Sequence, residues 1–169
     1  MTAPDRPKTL YFDDFAPGMV FEWGAMTVSE ESIVAFGREF DPVPIHTDPA
    51  VAAQGEFGGL IASGWQVAAL MQRMQYECYI GRSALIASPG VDGLDFLRPV
   101  RPGDRLSLRV EVVECRRSRT RPDRGLVRVL AHLIDREGET VLEKRGKSYF
   151  RTRPTTDGRS SGSEEAERR

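Results

Sequence analysis

The sequence predicts an α+β domain in which one curved antiparallel β-sheet wraps around a single long central α-helix. The first observation is a strongly apolar run over residues 60 to about 79, whose hydrophobic side chains cover nearly every side of a helix. A helix that is apolar all round must be enclosed by other structure. The second observation is a series of segments after residue 81 that alternate with the period of β-strands. One sheet folded over one helix satisfies both patterns.

Alternation is clearest over residues 105–114, where every second side chain is apolar. We expect one face of this strand to be buried and the other to be half exposed. The buried face would carry Leu106, Leu108, Val110 and Val112. Further strands are predicted at residues 93–100, 126–134 and 141–151, and the last two are joined by a turn at residues 135–138.

The front of the chain is predicted to hold a strand and then a helix. The strand covers residues 19–26, and the helix begins after Ser29, which is a favoured N-cap residue. That helix should end at Asp41, because Pro42 disfavours helical backbone in the residue before it. This arrangement puts a helical segment between the first strand and the central helix.

The stretch that follows holds the residues that we expect to carry chemistry. His46 is one of only two histidines, and Asp41 lies shortly before it. Pro42 and Pro44 fix the backbone between them, so the sequence predicts that residues 41–46 are not helical. An acid and an imidazole on such a stiff segment can point at one small volume. Acid–base catalysis on a bound substrate needs that arrangement.

The composition is that of an ordinary globular domain. The chain has 169 residues, a net charge of −1 and 40% hydrophobic residues, which does not suggest a nucleic acid or membrane partner. The first residues lack the apolar core of a signal peptide, and polar residues interrupt every long apolar run. Cys78 and Cys115 are isolated, which fits a reducing compartment but leaves a disulfide open. We therefore expect a cytoplasmic protein.

A single domain is expected over residues 10–153. Residues 1–9 are predicted to be flexible, and residues 154–169, rich in Ser, Gly and charge, to form a disordered tail. A sheet of this kind has two edges, and so apolar a helix leaves surface for a partner. We therefore expect a homodimer or a higher homo-oligomer, with edges or helices meeting across a two-fold axis.

Three separated motifs resemble those of the MaoC-like dehydratases, or (R)-specific enoyl-CoA hydratases. Residues 41–48, DPVPIHTD, resemble the family motif D-x-N-P-[LI]-H-x-D. Phe57, Ile61 and Gly64 match its F…I-x-H-G element, and residues 95–104, DFLRPVRPGD, resemble its F-x-x-P-V-x-x-G-D strand and turn. The resemblance covers roughly residues 10–152 and implies the hotdog fold.

This resemblance implies a hydratase or dehydratase that adds water reversibly to a 2-enoyl-CoA, giving a 3-hydroxyacyl-CoA. It makes Asp41 and His46 the catalytic pair and the Gly64 N–H the oxyanion donor to the thioester carbonyl. The helix start there suits developing negative charge. The other residues expected to bind the oxyanion or substrate are Gly59, Ala62 and Ser63. Coenzyme A belongs to the substrate, and no cofactor or metal is expected, since two histidines without clustered ligands do not suggest zinc.

The chain departs from the family pattern at three positions. Val43 replaces the motif asparagine, Phe40 replaces a common glycine, and Ser63 replaces the histidine before Gly64. Val43 has no side-chain hydrogen-bonding group, so the orientation that an asparagine provides is missing. Two other functions therefore stay open: thioester hydrolysis on the same fold, and a non-catalytic subunit that binds acyl thioesters or a catalytic partner.

Structural roles compete with these functional ones. His46 could cap or pack at a helix start, and Asp41 could be a turn aspartate. Asp48, followed by Pro49, is favoured as the N-cap of a short helix at residues 48–53 rather than as a catalyst. Gly59, with the glycine before it, is expected to serve a turn, with close approach of the thioester as the alternative.

Several other side chains invite a functional interpretation. The basic stretch at residues 116–121 is favoured as a solvated hairpin connection. The alternative is that it, or Arg98 and Arg101, contacts the phosphates of coenzyme A. His132 is predicted to be structural or to lie at a subunit contact. Trp65 is expected in the core, where it could also border an acyl tunnel.

Overall fold

The computed structural model describes residues 9–154, which form one five-stranded antiparallel sheet with a central helix. The strands are β1 (Val20–Thr27), β2 (Leu85–Phe96), β3 (Arg105–Arg117), β4 (Arg124–Ile134) and β5 (Thr140–Arg151). The helices are α1 (Glu30–Phe40), α2 (Pro44–Thr47), α3 (Pro49–Ala53) and α4 (Gly64–Cys78). The strand order β1-β3-β4-β5-β2 leaves β1 and β2 as the two edges. The predicted fold class is therefore confirmed.

The inner face of β3 lies at the centre of the core. The four apolar residues predicted for this face are all buried, with at most 2% of their surface exposed. Full burial of side chains of this size contributes roughly 1.5–3 kcal/mol each. Strict alternation is therefore the signal that fixes which face of β3 meets α4.

Central helix α4 begins at Gly64, later than the apolar run suggests. Ser63 is its N-cap, and its Oγ accepts a hydrogen bond from the Trp65 N–H at 3.2 Å. The residues just before Ser63 lie outside any helix or strand, and there the Ala62 N–H donates to the Val100 carbonyl at 2.8 Å. The apolar residues at the start of the run thus belong to the segment that leads into the helix.

One flank of α4 faces away from the sheet. Trp65 is 65% exposed and Tyr76 is 55% exposed, whereas Met71 and Met74 are fully buried. The expectation that Trp65 lies in the core is therefore wrong. Periodicity could not show this, because both flanks of the first half of α4 are apolar in sequence and only the packing against β1 and β3 selects one of them.

Edge strand β2 is longer than predicted and begins earlier. The sequence predicted a strand at residues 93–100, but β2 spans Leu85–Phe96. Pro89 and Gly90 break the alternating pattern, and the register against β5 shifts in three places. Gly90 has φ of 147°, which a residue with a side chain rarely adopts. Such bulges are common in edge strands and hide them from pattern analysis.

Helices α1 and α3 begin as predicted. Ser29 caps α1, where its Oγ accepts the Ser32 N–H at 3.2 Å. Asp48 caps α3, where its Oδ1 accepts the N–H groups of Ala50 and Val51 at 2.9 and 3.1 Å. Both caps satisfy amides that the first turn of a helix leaves without partners.

The prediction that residues 41–46 are not helical is only partly right. Val43 is extended, with φ of −73° and ψ of 135°, as a residue before proline should be. Pro44, however, starts the single turn α2, which contains His46. Proline at the first helical position loses no hydrogen bond and has the right φ, so it initiates this turn instead of preventing it.

Two further findings concern membrane-spanning helices and the cysteines. Within residues 9–154, no helix combines the length and the apolar character needed to cross a bilayer. Cys78 and Cys115 have free thiols, and burial raises the pKa of both. The predicted flexible start (residues 1–9) and disordered tail (residues 154–169) lie outside the described residues except for Thr9 and Pro154.

Candidate active site

Close contact between α1 and α2 fixes the position of His46. A β-carbon added to Gly37 would lie 2.7 Å from the backbone oxygen of His46 and 2.9 Å from Cγ2 of Thr47. Only glycine therefore lets the two helices approach this closely. The His46 N–H also donates to the Val43 carbonyl at 2.9 Å. The backbone that carries the imidazole is thus held from both sides.

The imidazole of His46 is buried, and its residue is only 8% exposed. Its Nδ1 lies 2.8 Å from the carbonyl oxygen of Ile61. Because a carbonyl oxygen can only accept, Nδ1 must carry the hydrogen. Nε2 is then the atom turned toward Asp41, at 3.5 Å from Oδ2. In the neutral ring, Nε2 is free to accept a proton.

Ser63 connects Asp41 to the start of α4. Its hydroxyl donates to Asp41 Oδ2 at 2.6 Å, and this is the oxygen that faces His46. The same hydroxyl oxygen accepts the Trp65 N–H, and Ser63 is fully buried. Val43, where the family pattern has asparagine, is 45% exposed. In this chain the hydrogen bond that orients the carboxylate comes from Ser63.

Gly64 provides an unused amide at the start of α4. Its N–H has no acceptor among the described residues, as expected at the first position of a helix. The partial positive charge of the helix N-terminus adds to it. An anionic or strongly polarised oxygen placed beside Gly64 would therefore be stabilised.

His46 and Gly64 both line a cavity of about 300 Å³. Asp41 is not among the lining residues. Its Oδ2 lies 3.5 Å from Nε2 of His46, which does line the cavity. The inner wall is apolar and buried, and it is formed by Ile61, Ala62, Val67, Val100 and Val141. The rim is more exposed and is formed by Phe57, Phe96, Leu97 and Arg98. A cavity of this size lies at the lower end of the range for small-molecule sites.

Ala62 and Gly59 lie at different distances from the cavity. Ala62 lines it with its side chain, while its N–H is engaged by Val100. Gly59 is not a lining residue and has φ of 157° in the turn before α4. Arg101 holds this turn, since its Nη2 donates to the Phe57 carbonyl at 2.6 Å. The predicted turn role thus describes what Gly59 does in this structure.

The basic residues divide into two groups. Arg98 lines the rim of the cavity and forms an ion pair with Glu139 at 2.6 Å. The basic stretch at residues 116–121 lies at the end of the β3–β4 hairpin. Strand β3 rises roughly 3.3 Å per residue, so this hairpin is on the order of 30 Å from the cavity within one chain. Of the proposed phosphate contacts, only Arg98 is at the cavity.

His132 lies on the outer side of the sheet. Its neighbour Leu133 is fully buried on the inner face, and Nε2 of His132 lies 3.2 Å from Oε2 of Glu143. Residues 9–154 contain no group of three or more His, Cys, Asp or Glu side chains placed to hold a metal ion.

Sequence reasoning missed two contributions to this site. The carbonyl of Ile61, which holds the imidazole, has no sequence signal, because any residue could supply it. Phe96 was noticed only as a letter of a motif, yet it forms part of the rim beside Gly64. The spacing of that motif could have suggested a role at the site, but not its contact with a residue 32 positions earlier in the sequence.

Comparison with known proteins finds one matching family and several relatives. A family model described as "MaoC like domain" matches residues 14–132. YdeM of Bacillus subtilis is 33% identical over 131 residues, which is 78% of this chain and 92% of YdeM. A 3-hydroxybutyryl-CoA dehydratase of Methylorubrum extorquens is 33% identical over 108 residues, covering 63% of this chain and 66% of that protein.

The fold has close counterparts among solved structures. The crystal structure of a MaoC-like dehydratase from Rhodospirillum rubrum superposes with a TM-score of 0.79 and 34% sequence identity. The match covers 86% of this chain and 99% of that one. The architecture is the hotdog fold that the sequence motifs implied.

Proposed function

This chain belongs to the MaoC-like dehydratase family, and from that premise we propose that it is a hydratase acting on acyl-CoA thioesters. It would add water reversibly to a 2-enoyl-CoA, giving a 3-hydroxyacyl-CoA. The observation that carries the proposal is that one cavity is lined by both the His46 imidazole and the free Gly64 amide, with the Asp41 carboxylate 3.5 Å behind the imidazole.

The Gly64 amide would bind the thioester carbonyl. Addition of water to C3 of the enoyl group drives negative charge onto this oxygen. An N–H at a helix start stabilises that charge more than it stabilises the neutral carbonyl. A single donor of this kind contributes about 10²–10³ in rate.

Asp41 and His46 would manage the protons. A water beside this pair, hydrogen-bonded to both Asp41 Oδ2 and His46 Nε2, which are 3.5 Å apart, would lose a proton to the pair as its oxygen bonds to C3. The same pair would then deliver a proton to C2, so that one water is added across the double bond. The reverse sequence would dehydrate the hydroxyacyl thioester. Ser63 would keep Asp41 Oδ2 aimed at this water.

The remaining surfaces suit the other parts of such a substrate. The apolar inner wall would take the acyl chain. Arg98 at the rim would contact a phosphate of coenzyme A, because its exposed pair with Glu139 is weak and easily exchanged. No resident cofactor or metal enters the proposed reaction.

The test is the loss of enoyl thioester absorbance with a panel of acyl chain lengths. We expect Asp41→Asn and His46→Gln each to lower kcat about 10²–10⁴-fold. The matched controls are Asp48→Asn and His132→Gln, which make the same chemical changes outside the site and should keep activity. A wild-type chain that is inactive on every thioester, or catalytic variants as active as wild type, would overturn the proposal.

Two rival functions have distinct outcomes in the same assay. Thioester hydrolysis would release free coenzyme A thiol, which hydration does not. A non-catalytic subunit would bind acyl-CoA without turnover and would become part of an active enzyme only with a second, complete chain. The hydrogen bond from Ser63 to Asp41 favours hydration over this last role, because it supplies orientation that Val43 cannot.

We also propose that the chain acts in the cytoplasm as a homodimer or higher homo-oligomer, without nucleic acid or membrane partners. The second copy would pack against the side of the molecule where β2 and the exposed flank of α4 adjoin. Trp65 packs edge-to-face against Phe96 there. These two residues, Leu97 and the β2 residue Val91 are each about half exposed or more. Two free thiols are in keeping with a reducing compartment.

A further inference from the structure

Phe96, the last residue of β2, touches the start of α4 at Gly64. A β-carbon added to Gly64 would lie 2.8 Å from Cζ of Phe96 and 2.9 Å from each of its two Cε atoms. These three atoms form the tip of the ring, so the ring points its end at the Gly64 Cα. Real β-carbons do not approach other atoms this closely. The absence of a side chain at residue 64 therefore makes room for Phe96.

Trp65 borders the other side of the Phe96 ring. The two ring centroids are 6.3 Å apart with an interplanar angle of 76°, an edge-to-face contact. Phe96 itself is 49% exposed and forms part of the rim of the cavity. The ring is thus supported by an aromatic neighbour at the mouth of the cavity, where it would meet any group approaching the Gly64 amide.

We propose that Phe96 is a specificity-determining residue, which excludes thioesters that carry a branch on C2, the carbon next to the thioester carbonyl. This inference rests on the proposed function, because it takes the Gly64 amide as the carbonyl-binding group. It adds a statement about substrate class: linear acyl chains are accepted and C2-branched chains are rejected.

Simple geometry supports this assignment. A carbonyl oxygen bonded to the Gly64 N–H lies about 2.9 Å from the nitrogen. Its carbon, and the atoms bonded to that carbon, must then lie within a few ångströms of the Gly64 Cα. The tip of Phe96 is already in contact with the same Cα. A linear chain can pass along the ring, whereas a methyl group on C2 adds bulk at the point where the ring leaves least space.

Binding measurements test the inference without requiring turnover. Butyryl-CoA and isobutyryl-CoA have equal numbers of carbon atoms and no double bond to hydrate, and only the second is branched at C2. We expect wild type to bind butyryl-CoA about 10-fold or more tightly than isobutyryl-CoA, the scale on which a pocket distinguishes one misplaced methyl group. Phe96→Ala should reduce this ratio to roughly threefold or less, and Phe96→Leu should give an intermediate ratio.

Val113→Ala is the matched control, since Val113 is as exposed as Phe96 but does not line the cavity, and this variant should keep the wild-type ratio. Equal binding of the two thioesters by wild type would overturn the inference. An unchanged ratio in Phe96→Ala, or the same loss in Val113→Ala, would overturn it as well. Because neither thioester is hydrated, these results stand apart from the hydration assay, which alone decides the proposed reaction.

A stability measurement tests the Phe96–Gly64 contact independently of any ligand. Gly64→Ala should lower the Tm by roughly 3–8 °C, because the new methyl group collides with the Phe96 ring. The double variant Gly64→Ala/Phe96→Ala should have nearly the same Tm as Phe96→Ala alone, because the ring that the new methyl group would strike is gone. Additive losses of Tm in the double variant would show that Phe96 does not occupy the space beside Gly64.

Discussion

At the scale of single residues, Ser63 makes two hydrogen bonds that hold the site together, although the family motif has histidine at this position. Its one hydroxyl donates to Asp41 at 2.6 Å and accepts from the Trp65 N–H at 3.2 Å. The first contact orients a carboxylate, and the second caps the helix whose next amide, that of Gly64, is unused. A single buried oxygen thus couples the proposed proton-handling groups to the proposed carbonyl-binding group.

Replacing Ser63 by alanine should affect both stability and rate. Loss of the cap should lower the free energy of unfolding by about 1 kcal/mol. We also expect kcat to fall about 10–100-fold with a smaller change in KM, because a hydrogen bond that positions a catalytic group typically contributes about 1.5–3 kcal/mol when one partner is charged. Denaturant unfolding and steady-state hydration kinetics measure the two effects.

The matched control for this variant is Asp48→Ala, which removes the cap of α3 instead. It should lower the free energy of unfolding by a similar amount and leave kcat unchanged. If Ser63→Ala and Asp48→Ala have the same kcat, Ser63 is only a helix cap.

At the scale of elements, the packing of α1 on α2 decides where the imidazole lies. Gly37 does not have a positive φ, and its backbone is that of an ordinary helix, so backbone conformation does not explain why this residue is glycine. A close approach to His46 and Thr47 is the reason for glycine there. The sequence carries no signal of this contact between Gly37 and α2.

Gly37→Ala should therefore displace α2 or α1. We expect the free energy of unfolding to fall by about 1–3 kcal/mol, as for other overpacked sites. Hydratase activity should fall as well, because a shift on the order of 1 Å at His46 spoils its approach to the reacting water. Gly24→Ala is the control, since a β-carbon at Gly24 would meet nothing within 4 Å. Equal stability of the two variants would contradict the packing argument.

At the scale of the whole molecule, the two sheet edges are not equivalent. The end of edge strand β2 adjoins Trp65, the exposed aromatic residue at the start of α4, and the mouth of the cavity, whereas β1 lies at the opposite edge of the sheet. Both edges carry an exposed valine, Val91 on β2 and Val20 on β1. We therefore propose that a second copy meets the β2 edge across a two-fold axis.

The same substitution at each edge tests which one a second copy covers. Val91→Glu should convert the dimer into monomers, because it places like charges against each other across the two-fold axis. Val20→Glu should leave the dimer intact. Light scattering coupled to size-exclusion chromatography measures both masses. If only Val20→Glu dissociates the dimer, the interface lies at β1 instead. If the wild type is monomeric, the proposed dimer is wrong.

The sequence by itself determined the local parts of this protein. It predicted the buried face of β3, the caps at Ser29 and Asp48, and the pairing of Asp41 with His46, whose side chains lie 3.5 Å apart. These features depend on periodicity, on cap chemistry or on a short motif, all of which act between near neighbours. The fold class followed, because only a few arrangements bury one apolar helix against several amphipathic strands.

The tertiary structure decided everything that depends on residues far apart in the sequence. The hydrogen bond from the Ala62 N–H to the Val100 carbonyl helps to set the start of α4, and packing leaves Trp65 on the surface rather than in the core. The tertiary structure also paired Ser63 with Asp41 across 22 positions and brought Phe96 against Gly64. Such contacts leave no periodic trace, since they arise when packing fixes the distance between elements. Local sequence signals determine which helices and strands form, and close packing between them determines which of their residues are in contact.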